Sequence, residues 1–186
     1  LQEGSVSFLY FADRVTQLPL GVIGVAVGVA LLPLMTRQLA EGDEAGAAES
    51  QNRAIEFALL LTVPATLALV TIGDPIVRVL FERGAFDAAA TKNTAAALSA
   101  FSVGLPAYVL IKALTPGFFA RQDIVTPVKI AIVAMVVNVV LALILMQVLS
   151  HVGIALATAC SAWMNAIILW VILHRRGQFH ADARLW

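Results

Sequence analysis

Hydrophobic and polar positions segregate into blocks along this chain. Five uncharged stretches, 18–35, 57–73, 94–111, 130–150 and 152–173, are separated by short segments that carry nearly all the charge. A bilayer core about 30 Å thick needs about 20 helical residues, so each stretch with its flanks is long enough to cross one. The pattern predicts an all-α integral membrane fold with about five transmembrane helices, over 7–38, 52–73, 88–119, 127–149 and 152–174. The first is long for one span, and Pro19 predicts a bend or tilt in it. Its glycines Gly21, Gly24 and Gly28 include one GxxxG pair suited to close helix approach.

The connections separate into a basic and a poorer set. If successive ends alternate sides, one side collects Arg37, Arg53, Arg121, Lys129, Arg175, Arg176 and Arg184, and the other only Arg78, Arg83 and Lys92. The richer side is expected to be cytoplasmic. Residues 74–92 and the turn near His151 then lie outside, with Tyr10 to Gln17 in the outer half of the first helix. Residues 41–53 read as a solvated acidic linker with a short surface helix ahead of Arg53. Residues 75–83, PIVRVLFER, begin with a proline suited to a helix start and mix apolar with charged positions, which predicts a short helix in the interface, ended by Gly84.

Composition agrees with this pattern. Of the 186 residues, 60% are hydrophobic and 13% charged, and mean hydropathy is +0.89; a soluble domain carries about 25% charged residues. Net charge is zero, so nothing points to nucleic acid. Cys160 is a lone small residue in an apolar run, best read as packing. There is no phosphate-binding glycine loop, nucleophile elbow, HExxH pair or CxxC spacing, and His151, His174 and His180 are scattered. No metal site, cofactor or enzyme activity is expected. The chain starts at Leu1 and stops in HADARLW, and is expected to be a piece of something longer.

The candidate chemistry lies at the start of the first helix. Asp13 and Arg14 precede a run with no charge until Arg37, and an Arg in a bilayer costs about 2.5 to 3.5 kcal/mol on insertion scales. Tyr10, Arg14 and Gln17 fall at i, i+4 and i+7, one helical face, while Asp13 points away from it. Two readings follow: a polar wall on an aqueous cavity, where the Arg fork suits phosphate, or a surface Arg snorkelling to headgroups. The four residues are the candidate substrate-binding set. Lys112, in the third helix, has three roles open to it: pairing with Asp13, binding an anionic substrate, or reaching the headgroups. Pro106 and Pro116, with Gly104 and Gly117, make that helix bendable, which suits gating. Asn138, Thr158, Ser161 and Asn165 read first as hydrogen-bonding glue between the last two helices.

Three blocks carry a family resemblance: FLYFADRVTQLPLGVIGVAVGVALLP from Phe8 to Pro33, LFERGAF from Leu80 to Phe86, and GFFARQDIVTPVKIAIV from Gly117 to Val133. In order and spacing they closely resemble the MurJ (MviN) lipid II flippases, of the multidrug/oligosaccharidyl-lipid/polysaccharide exporter superfamily. The resemblance implies a multi-pass protein of the bacterial inner membrane with about fourteen helices in two lobes around a cavity. This chain would be a partial second lobe, from just before the eighth helix to just after the twelfth, with the N-terminal lobe missing. Implied partners are membrane lipids and the undecaprenyl-diphosphate-linked peptidoglycan precursor, moved by alternating access. Arg14 matches the family's cavity arginine of this lobe; Gln17 stands where a Glu is frequent. Asn138 and Thr158 match a cation site seen in some relatives, but Ala142 replaces its carboxylate, leaving a weak ion site. The alternatives are a polysaccharide-lipid or drug exporter of the same superfamily and a non-transporting membrane scaffold.

Overall fold

The computed structural model describes residues 4–84 and 86–178; Ala85 in the second of those blocks, His180 and Arg184 lie outside them. Every element among the described residues is a helix. Helix α1 (Ser5–Pro19) and helix α2 (Val25–Ala40) are joined without interruption by a π-helical turn, Leu20–Gly24. Proline lacks an N–H and crowds the preceding turn, so the ladder is broken at Pro19, and the following turn widens to re-pair its carbonyls. The irregularity at Pro19 thus takes the form of a π turn. At 36 residues the joined helix is about 54 Å long by the 1.5 Å rise, far more than a bilayer core.

Helix α3 (Glu44–Thr71) starts well before the apolar run it carries. Asp43 accepts a hydrogen bond from the Gly46 amide at 2.8 Å, an N-cap. The expected acidic linker is therefore mostly the first turns of α3, with only a short turn ahead of it. Helix α4 (Gly73–Phe81) follows almost at once, and Gly84 takes φ 62° in the turn beyond. Asp87 caps helix α5 (Ala88–Val103), and Gly104 joins it to α6 (Leu105–Phe119). A Cβ on Gly104 would lie 2.9 Å from Ala159 Cα, so only glycine lets the last helix approach this closely. The Trp163 indole N–H donates to the Val103 carbonyl across the same gap, 2.9 Å.

Helix α7 (Val125–Arg175) spans 51 residues but is a folded hairpin, because Ser150 sits at φ 51°, ψ −130°. Asn138 on the first arm donates to Ser161 Oγ on the second at 3.0 Å. Among the described residues, four helical stretches, Ser5–Ala40, Glu44–Thr71, Ala88–Phe119 and Val125–Arg175, are long and apolar enough to cross a membrane, and the last contains two of the five predicted runs. His151, just past the turn, is buried against the Phe8 ring, with Nε2 3.1 Å from the Asn93 carbonyl oxygen.

Helices α5 and α6 run through the middle. Ile55, Leu110, Leu114, Phe118, Leu169 and Leu173 form one core between α3, α6 and α7. Ala12, Val15, Leu69, Val77 and Leu98 form another between α1, α3, α4 and α5. The outward faces remain apolar, as with Val136, Val140, Ile144 and Val148 on α7. This is the pattern of a surface that meets lipid.

Candidate functional site

Tyr10, Arg14 and Gln17 share the exposed face of α1, as the spacing predicts. The Arg14 guanidinium carbon lies 4.8 Å from the centroid of the Tyr10 ring, a cation–π stack. Its Nη1 donates to Gln17 Oε1 at 3.2 Å. Gln17 Nε2 in turn donates to Asp13 Oδ2. This corrects the expectation that Asp13 points elsewhere: Gln17 is one turn on, and its amide reaches back to the half-buried carboxylate. The four residues form one chain, Tyr10 to Arg14 to Gln17 to Asp13. Gln17 is the relay, accepting from the cation and donating to the anion. Arg14 makes no ion pair among the described residues, so most of its donors stay open on the exposed side.

Lys112 sits on the exposed face of α6 and forms no ion pair with Asp13 among the described residues. Its methylene chain crosses the end of the π turn, where a Cβ on Gly24 would stand 2.6 Å from Lys112 Cδ. Gly28, one turn on, comes near the Lys112 carbonyl. Lys112 with Gly24, Val29, Thr115 and Phe119 lines an open groove of about 340 Å³ between α2 and α6. Two cations, Arg14 and Lys112, are therefore exposed on α1 and α6, either side of the π turn.

Asn138 and Thr158 do lie together. They line a second groove of about 340 Å³, with Tyr108, Ser161 and Asn165, which shares Ile111 of α6 with the first. Ser161 Oγ receives the Asn138 amide and donates to the Thr158 carbonyl at 3.0 Å; the Thr158 hydroxyl donates to the Ile154 carbonyl at 2.9 Å. Asn165 Oδ1 is buried without a hydrogen-bond partner. The lining offers neutral oxygens and no carboxylate, a poor set for a hard cation. Asn138 and Ser161 act as the glue the sequence suggests.

Sequence reasoning missed two contributors. Tyr108, one turn before Lys112, passes for an ordinary apolar-run aromatic. Gln51, fully buried in α3, donates from Nε2 to the Ala113 and Leu114 carbonyls at 3.1 and 3.3 Å, just before Pro116. A glutamine beside a solvated linker gives no hint of this role, since its acceptors lie more than 60 positions away.

Comparison with known proteins agrees with this architecture. A family model described as lipid II flippase MurJ matches residues 1–186. A Rhizobium tropici protein named "Probable lipid II flippase MurJ" is 52% identical over 95% of this chain, and a Rhizobium meliloti protein of that name 48% over 99%. A Rickettsia prowazekii relative is 41% identical over 97%. These alignments cover 33%, 34% and 36% of the relatives, so the chain spans about a third of their length. With its apolar helices and its whole length matched, this multi-pass membrane chain belongs to the lipid II flippase MurJ family.

Proposed function

We propose that the full-length protein carries a lipid-linked peptidoglycan precursor, lipid II, across the bacterial inner membrane, and that this chain is most of its second lobe. The reading starts from the relatives' names, and the observation that carries it to a site is the open guanidinium of Arg14. An Arg without a carboxylate partner is costly in a span, and it suits a diphosphate, which accepts two parallel N–H bonds. Tyr10 beneath it fixes the plane of the fork, and Gln17 adds an amide for phosphate or sugar oxygens.

Lys112 serves as a second positive charge. The missing N-terminal lobe supplies the facing wall and further donors. Two lobes rocking about this line of charges would expose it to one side of the membrane and then the other, the lipid tail staying in the bilayer. The π turn and Pro116 are the compliant points. The protein is a carrier, and its residues do no bond-making chemistry.

Arg14→Ala in the full-length protein, checked for normal membrane levels, should fail to support growth of a flippase-depleted strain and fail to move lipid II in reconstituted vesicles. Arg14→Lys should retain part of the activity, because it keeps the charge and loses the fork. Normal growth and transport with Arg14→Ala would remove the residue from the mechanism. Transport of another lipid-linked glycan but not lipid II by the intact protein would move the chain to the related exporters.

A further inference from the structure

Helix α4 has three faces where a surface helix needs two. At 100° per residue, Gly73, Val77 and Phe81 share one third of it. Gly73 and Val77 are buried, and Phe81 packs in the core. Asp74, Arg78 and Glu82 share the next third. Arg78 pairs with Asp74 at 3.3 Å and with Glu82 at 3.4 Å, and Glu82 also accepts from the Thr91 hydroxyl at 2.8 Å. The last third is Ile72, Pro75, Ile76, Val79 and Leu80, which line a shallow concavity of about 350 Å³. It is open: Val79 is 79% exposed and Ile72 50%.

The bundle already uses the first face and water suits the second, so the third needs an apolar medium. Nine residues reach about 14 Å and cannot span a bilayer. The helix starts two residues after α3 ends, and the exposed stripe continues from Leu67 and Val70 at the end of that span. What covers Leu67 and Val70 is continuous with what covers Val79.

We infer that α4 is an in-plane anchor seated in the lipid interface that caps α3 and α5, with Ile72, Pro75, Val79 and Leu80 in the acyl region and Asp74, Arg78 and Glu82 among the headgroups. Asp74 and Glu82 are balanced by Arg78 and Arg83, so apolar burial sets its depth and anionic lipid is not required. Phe81 and Phe86 hold the Phe11 ring at centroid distances of 4.9 and 5.3 Å. Phe11 is in the same helical turn as Tyr10 and Arg14, so the anchor is tied to the helix that bears the candidate site. The inference requires that the chain spans a bilayer, and is independent of what is transported.

The test uses the full-length protein in nanodiscs with every native cysteine, Cys160 included, replaced by Ala, and a single nitroxide on Ile72→Cys, Asp74→Cys, Arg78→Cys or Val79→Cys. Collisions with oxygen, which concentrates in hydrocarbon, and with a water-soluble nickel chelate are compared. Labels at 72 and 79 should favour oxygen and labels at 74 and 78 nickel, at least threefold apart in the ratio, with and without anionic lipid. A label at 79 as exposed to nickel as one at 78 would overturn the anchor. So would a label at 79 shielded from both reagents, which would mean that the other lobe, a second copy or another protein covers the face. A depth that follows the anionic lipid content would overturn the apolar setting.

Discussion

Arg14 and two arginines at the other end of the bundle are held in opposite ways. Where α3 begins and α6 and α7 end, Arg121 reaches Glu44 at 2.6 Å and the Gly117 carbonyl at 3.0 Å. Arg176 reaches Asp123 at 2.6 Å and Thr126 Oγ1 at 3.2 Å, with its guanidinium 5.7 Å from the centroid of the Phe118 ring. Arg14, in contrast, has a neutral amide and an aromatic ring for company. An arginine paired with a carboxylate fixes architecture, and one held by a ring and a single amide leaves most of its donors open. Lys112 belongs with Arg14: its stem is seated on Gly24 and its ammonium is unpaired among the described residues.

Substitutions can break this contrast in order of size. Arg14→Ala should abolish transport with the fold intact, whereas Arg121→Ala should lower stability and leave transport per folded molecule nearly unchanged; complementation with membrane-level controls separates the two. Gln51→Leu should come next, at about 1 to 3 kcal/mol of stability, because two buried carbonyls lose their shared donor. Thermal unfolding in detergent, with Gln51→Glu as a second variant, measures it.

Acid should act on the tied end. Hydrogen bonds from Arg176 and Thr126 hold the Asp123 carboxyl down to about 2. Its pKa is lower folded than unfolded, so its stabilisation is complete above about pH 4 and is lost as pH falls towards 2. Melting temperature should drop over that window, and Asp123→Asn should lower it at neutral pH and flatten the acid drop. Gly24→Ala should have the smallest effect. The new methyl displaces the flexible Lys112 stem, so a several-fold loss of substrate affinity is expected with melting temperature almost unchanged, measured by binding to the purified full-length protein.

Much of the fold was legible because the bilayer imposes one rule, that long runs without charge become helices. The Tyr10, Arg14, Gln17 face was legible for a similar reason, since helical periodicity is local. What stayed hidden depends on partners far apart in the chain or on details of the ladder. Asp13 joined the site through an i+4 amide that the one-face reading set aside. The π turn after Pro19 is one of several ways a broken ladder re-pairs. Glu44 and Arg121 are 77 positions apart, so nothing local distinguishes Arg121, which is tied, from Arg14, which is open. Val79 reads as one more apolar residue until the burial of Val77 and the pairing of Arg78 show that a third face is left over.

Whether the face beside Arg14 is the wet lining proposed above can be measured directly. In the full-length protein with every native cysteine, Cys160 included, replaced by Ala, Gln17→Cys should react with a membrane-impermeant thiol reagent, and lipid II should protect it. Reaction only with a lipid-soluble reagent, or no protection by lipid II, would contradict a substrate-binding cavity at this face.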